Sequence, residues 1–289
     1  MTQKLHFISG LPRAGSTLLS ALLRQNPRFH ADISTPLASI LQANVQLMGA
    51  GTEASHLMDD GQKPAILRAI TDATISTRTD RPVVFDTNRG WCSRMPLVTE
   101  LFPDAKVIAC VRDVPWVLDS LERMFRKNPF QNSPIFSGDE SATVYSRVET
   151  LMRRDRLVGY PWAGLREAFY GEQASNLLVV DYELLAKRPE GTLRLVYDFI
   201  GEPMWDGHDV DNVEFDAPEF DAALGLAGMH RIKPKVEFTP RTTILPPDLF
   251  AKHQGMDFWR DVTGSAANVI APTKPNVITQ NTPSAQEGQ

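Results

Sequence analysis

The chain has 289 residues, a formal net charge of −5, 42% hydrophobic residues and 22% charged residues. Those values fit a soluble globular protein long enough to bury a full core, read as one domain with a second subdomain left open. The acidic balance argues against a general nucleic-acid binder, and two cysteines, Cys92 and Cys110, are too few for a disulfide framework. No apolar run approaches the roughly 18 residues of a spanning helix. The first strand follows so soon after Met1 that no leader is expected, and a cytoplasmic enzyme is the reading.

Leu5–Ser9 is predicted as a short buried parallel strand, and Thr17–Gln25 as a helix with a wide apolar face that ends at Asn26-Pro27. Helices are expected over Ala38–Met48 and Pro64–Ser76, then a strand over Pro82–Asp86 that runs into the polar turn Thr87-Asn88-Arg89-Gly90. Met95–Phe102 reads as a helix, Ala105–Val111 as a strand and Trp116–Arg126 as an amphipathic helix. Lys127–Asp139 is rich in Pro, Asn, Ser and Gly and reads as a loop. A helical region over Ala142–Ala168 carries the run Arg153-Arg154-Asp155-Arg156, expected on a solvated helix face. Asn176–Val180 is a fourth strand, and Pro189–Ile200 a helix closed by Gly201. The expected domain covers residues 1–263, and 264–289, poor in large apolar groups, is expected to be a disordered tail. Trp162, Trp205 and Trp259 are expected in the core.

Strands alternating with helices predict an α/β protein: a three-layer fold with a mainly parallel sheet flanked by helices. Ligands of such sheets sit at the C-terminal strand ends, here Ser9, Asp86, Val111 and Val180. The first of these ends runs into Gly10-Leu11-Pro12-Arg13-Ala14-Gly15-Ser16-Thr17. A strand, a glycine-containing turn and a helix N-terminus present backbone N–H groups to a phosphate. The glycine spacing is that of a nucleotide-hydrolase P-loop, but Ser16 replaces its lysine and the basic residue moves forward to Arg13. Arg13 offers a planar fork of donors to phosphate or sulfate oxygens, and Ser16 and Thr17 add hydroxyls. An ordinary strand-to-helix turn is the alternative. The second string is Arg112-Asp113 at a strand end followed by Ser120 in the next helix. Alone it reads equally as a surface salt bridge.

Together, P-R-x-G-S-T and R-D-x(6)-S resemble the sulfotransferase family, and the loop is most similar to that of the tyrosylprotein sulfotransferase-like branch, bacterial members included. Leu101–Lys106 and Asn176–Leu185, with its Y-E-x-L string, extend the resemblance over roughly residues 5–200. It implies a P-loop-type fold and a donor, 3′-phosphoadenosine 5′-phosphosulfate (PAPS), that leaves adenosine 3′,5′-bisphosphate (PAP), with no metal. It also implies that Arg13, Gly15, Ser16 and Thr17, within a loop that includes Gly10, Pro12 and Ala14, grip the phosphosulfate. Arg112 and Ser120 would hold the 3′-phosphate and Tyr182 would contact the nucleotide. Family members close the nucleotide with a basic C-terminal loop, for which Arg231, Lys233 and Arg241 are candidates, a solvated charge run being the alternative.

The acceptor hydroxyl needs a base within about 3 Å. The tyrosylprotein branch has a glutamate where this chain has Ser34, which leaves Asp86 and Asp32 as equal candidates, with His30 behind them. Arg89 falls near a family lysine and either stabilises developing charge or pairs with Asp86. The acceptor is a peptide tyrosine, a carbohydrate or a small molecule, met by the variable segments Thr35–Gly61, Pro129–Val144 and the chain after Gly201. A homodimer stays open. A P-loop kinase and a non-enzymatic adenosine-bisphosphate-binding domain are the competing readings.

Overall fold

A computed structural model describes residues 3–127 and 134–272. In chain order the elements are β1 (Lys4–Gly10), α1 (Ser16–Leu23), β2 (Phe29–Ala31), α2 (Leu37–Leu47), α3 (Glu53–His56), α4 (Gln62–Ser76), β3 (Val83–Thr87), α5 (Met95–Leu101) and β4 (Val107–Val111). They continue as α6 (Val114–Lys127), α7 (Val144–Met152), α8 (Gly159–Tyr170), β5 (Leu177–Asp181), α9 (Tyr182–Lys187), α10 (Pro189–Ile200), α11 (Pro218–Ala223), α12 (Pro247–Lys252) and β6 (Asn268–Ile270).

Among the described residues the strands form one sheet in the order β2-β3-β1-β4-β5-β6, every neighbouring pair parallel. Such a sheet needs helices on both faces, which is why β4 and β5 up to Asp181 read as apolar runs and are buried at every position. From β1 the chain passes to β2 at the sheet edge and returns to place β3 between β2 and β1. It then recrosses β1 to lay down β4 and β5 on the other side. Successive connections therefore diverge between β1 and β4, and a crevice opens there at the C-terminal strand ends. The loops holding Arg13 and Arg112 both leave strands that border this crevice.

Three expectations change. Residues 268–270, assigned to a disordered tail, pair in parallel with Leu178–Val180 and extend the sheet by one strand; residues 273–289 lie outside the described residues. A three-residue strand carries too few side chains for its alternation to register in a sequence. The helical region over 142–168 is two helices, because Arg153 turns to ψ 146° and leaves the helical range. The charged run forms the turn between them, and Arg153 and Arg156 both reach Glu140, at 3.2 and 2.9 Å. Gly159 is required at this turn, since a Cβ there would lie 2.2 Å from the Arg153 carbonyl oxygen. Finally, Phe29–Ala31, given no element in the sequence, form the edge strand β2 around His30. Of the segment 127–139 expected as a loop, residues 128–133 lie outside the described residues.

Trp259 is fully buried as expected; Trp162 and Trp205 are half-buried against the core.

Candidate functional site

The loop after β1 is shaped by two left-handed glycines, Gly10 at φ 108° and Gly15 at φ 95°. Between them Arg13 has φ 57°, and it is the sole non-glycine with positive φ among the described residues. A non-glycine costs of order 1 kcal/mol in this region, and such strain gathers at functional sites. No side chain caps α1, so the N–H groups of its first turn, beginning at Ser16, are open to an anion.

Here the tertiary structure joins strings that are a hundred residues apart. Arg13 Nε donates to Ser120 Oγ at 3.2 Å, so the first and second motifs meet directly. The Tyr182 ring lies against Gly15, where a Cβ would come within 2.9 Å of Cδ2. The Arg112 guanidinium stacks over the same ring at 4.5 Å. Tyr182 thus wedges the glycine loop on one side and carries Arg112 on its face, a cation–π contact. Arg89 is placed by Ser9, whose hydroxyl donates to the Arg89 carbonyl at 3.1 Å and accepts from the Cys92 amide at 3.2 Å.

The result is a cluster of guanidinium groups. Burial, reinforced by Arg13, lowers Arg89 to about 10. Burial also lowers Arg112 to about 10, opposed by Tyr182 and reinforced by Arg241 and Arg13. All remain protonated at neutral pH. Among the described residues neither Arg89 nor Arg112 has a carboxylate partner, so the pairing of Arg89 with Asp86 considered above is not made. Cations held together in a cleft, Arg89 and Arg112 among them without a direct ion pair, can receive a polyanion.

A cavity opens beside Arg112. Asp113, Trp116, Asp181, Tyr182 and Glu183 wall one side, and Phe238–Arg241 with Arg260 wall the other. Trp116, Phe238 and Arg260 were not singled out in the sequence. Arg260 reaches Asp113 at 2.6 Å and Asp257 at 3.1 Å, which binds the C-terminal part of the chain to the β4 end. Burial pushes the Asp181 carboxyl up to about 6, against the Glu183 amide and Arg260.

Of the three basic residues expected to close the nucleotide, Arg231, Lys233 and Arg241, only Arg241 lines this cavity. It pairs at 2.8 Å with Asp119, a wholly buried carboxylate on α6 that also accepts from Arg123, Thr243 and the Ile244 amide. Arg231 and Lys233 are exposed, in long ion pairs with Asp216 at 3.9 Å and Glu237 at 3.8 Å. Proximity in sequence does not carry them to the site, because the backbone of Ile232, Pro234 and Val236 bonds instead to Phe215, Val213 and Val210.

The carboxylates expected as base are both engaged. Asp86 accepts from Thr35 Oγ1 and, at 2.8 Å, from Trp91 Nε1, and burial outweighs those donors to raise its pKa. Asp32 pairs with Arg78 at 3.2 Å and accepts from the Ile33 amide at 2.8 Å. His30 Nε2 is buried without a hydrogen bond.

A different titratable pair reaches the loop. One Arg13 Nη donates to the Met229 carbonyl, which draws His230 to the cluster. His230 Nδ1 lies 2.5 Å from Asp221 Oδ1, and its amide donates to Asp221 Oδ2 at 2.9 Å. Nothing in the nine-residue spacing signals this pair in the sequence.

Among the described residues no three His, Cys, Asp or Glu side chains converge as a metal site, and no helix is long and apolar enough to cross a membrane.

The chain's relatives are consistent with this geometry. The profile described as Sulfotransferase family matches residues 6–207. Protein-tyrosine sulfotransferase 1 of Danio rerio is 26% identical over 203 residues, 68% of this chain and 53% of that protein. The chain therefore spans about half the length of the curated relative it matches. Two solved structures share the fold. Mouse sulfotransferase SULT7A1, complexed with PAP, superposes with TM-score 0.52 at 14% identity, covering 91% of this chain and 89% of that one. A sulfotransferase from Alicyclobacillus acidocaldarius gives 0.51 at 13% identity, covering 90% and 95%.

Proposed function

Because this chain belongs to the sulfotransferase family, we propose that it moves a sulfuryl group from PAPS to a hydroxyl acceptor and leaves PAP. The observation that carries the reading is the meeting of Arg13, Ser120, Arg112 and Tyr182 around one glycine loop, with Arg89 beside it. The donor carries anionic groups at two positions, and the site gathers Arg13, Arg89 and Arg112 close enough to act on one another. Arg13, Gly15, Ser16 and Thr17 would hold the phosphosulfate; Arg112 and Ser120 would hold the 3′-phosphate. The ring of Tyr182 and the cavity beyond it suit the nucleoside.

Fit is supported by the uncapped N-terminus of α1 beside Gly15 and by Arg89 and Arg112, which make no ion pair with a carboxylate among the described residues. Transfer of a sulfuryl group leaves charge on the departing phosphate, and catalysis then rests on positioned donors, as in phosphoryl transfer. Arg13 and Arg89 are the donors at that position. Ser16 in place of a lysine weighs against a kinase using ATP. The Danio relative carries protein tyrosine in its name, so a tyrosine-bearing peptide is the first acceptor to try.

PAP at about 100 times its dissociation constant is expected to stabilise the protein by roughly 2.7 kcal/mol and raise its melting temperature by several degrees. Stabilisation by ATP and none by PAP, in a side-by-side thermal melt, would overturn the reading. Arg112→Ala is expected to weaken PAP binding about 10- to 30-fold, near 1.5–2 kcal/mol for a charged hydrogen bond. Calorimetry on the variant checks this, and an unchanged affinity would remove Arg112 from the site.

A further inference from the structure

Transfer to a hydroxyl requires a group that takes the acceptor's proton, and the two carboxylates that the sequence offers are occupied by other partners. Asp32 holds Arg78, and Asp86 holds Thr35 and Trp91. His230 is differently disposed. Its neighbour Met229 accepts from Arg13, so the imidazole is anchored to the loop that would carry the transferring group. Asp221, wholly buried on α11, takes both the His230 amide and the imidazole Nδ1. An ionised carboxylate only accepts hydrogen bonds, so the imidazole proton must sit on Nδ1. That tautomer leaves the Nε2 lone pair free, and Nε2 makes no hydrogen bond among the described residues.

We propose that His230, held in this tautomer by Asp221, is the general base of the transfer reaction. The inference rests on the sulfuryl-transfer reading above. In the step, the acceptor O–H proton passes to His230 Nε2 while the acceptor oxygen forms a bond to sulfur. The bond between sulfur and the 5′-phosphate oxygen breaks, and its electron pair stays on that oxygen to give PAP. The imidazolium then returns its proton to solvent. Asp221 is a positioning residue, its carboxylate bonded to the His230 amide and imidazole.

The groups that face the imidazole are Asp221 from α11, Arg13 from the glycine loop and Arg89 from the turn after β3, with the Phe220 ring 5.3 Å away. Burial lowers the His230 pKa, Asp221 opposes that, and Arg89 and Arg13 add to it. The net direction keeps the ring neutral at pH 7, the form a base requires.

The test measures PAP formed from radiolabelled PAPS, with 4-nitrophenol, an acidic tyrosine peptide and water as acceptors, and PAP affinity by calorimetry. His230→Gln is expected to lower PAP formation about 100-fold or more with PAP affinity within threefold of the parent. The acidic limb of the kcat profile should vanish in His230→Gln and shift in Asp221→Asn, and imidazole should partly rescue His230→Ala. Should the variants fold poorly, nitrogen-15 spectra of the unaltered protein give an independent readout. They should show His230 protonated on Nδ1 at pH 7 and titrating at the same pH as the acidic limb. A rate within threefold in His230→Gln, a parallel loss of PAP affinity, or the opposite tautomer would overturn the assignment. Unaltered protein that binds PAP yet never forms it from PAPS would overturn the transfer reading, and this assignment with it.

Discussion

Arg13→Gly is expected to lower turnover about 100- to 1000-fold, some 3–4 kcal/mol of barrier, while the melting temperature moves by no more than a few degrees. The two effects separate because Arg13 is both strained and useful. Its φ of 57° suits glycine, so the substitution releases of order 1 kcal/mol of backbone strain. It also relieves repulsion, since burial and the nearby Arg241 both lower the Arg13 pKa, and Arg13 in turn lowers those of Arg89 and Arg112. Against this stand the lost bonds to Ser120 and the Met229 carbonyl, worth about 1–3 kcal/mol together. Stability therefore changes little, whereas the donor proposed to face the leaving phosphate is gone. Paired assays of PAP formation and thermal melting check the result. A large fall in melting temperature, matching the fall in rate, would make Arg13 a strut for the segment around Met229.

Gly10→Ala is expected to cost more stability than any other single exchange in the loop, of order 4–5 kcal/mol or beyond, and to leave little soluble protein. Two barriers coincide there. The φ of 108° is poorly accessible to alanine, and an added Cβ would lie 2.1 Å from the Cys110 carbonyl oxygen and 2.6 Å from the Cys110 amide nitrogen. Both are backbone atoms of the central strand β4, so relief requires parting β1 from β4 where the Leu11 amide donates to Cys110 at 2.9 Å. Gly51 provides the internal control: its φ is 87°, and a Cβ there meets nothing within 4 Å. Gly51→Ala should cost only about 1–2 kcal/mol, the backbone contribution alone. Urea unfolding of the two variants compares them directly. Equal losses would show that the close approach to β4 contributes nothing.

These two positions also show how far the residues can be read without coordinates. Gly10 and Gly15 stand out by spacing, and the spacing predicts a phosphate loop. The reasons for them are tertiary. Gly10 is needed because β4 passes against it, and Gly15 because the Tyr182 ring closes over it. Likewise Arg112 and Ser120 are legible as a string, one just past a strand end and the other in the helix that follows. That Ser120 accepts from Arg13 depends on β1 and β4 being sheet neighbours.

Local order alone determined the alternation of strands and helices, the parallel sheet and the glycine loop with its displaced cation. Each depends on residues close together in the chain, through burial period and backbone conformation. Tertiary structure decided which side chains share the site. It left Arg231 and Lys233 in solvent, tied Asp32 and Asp86 to other partners, and brought Asp221 and His230 from a region without periodic pattern onto the loop. The physical reason is that such a pair is defined by a buried carboxylate orienting an imidazole. Burial and orientation arise only once the sheet has placed the Arg13 loop where the Met229 carbonyl can meet it.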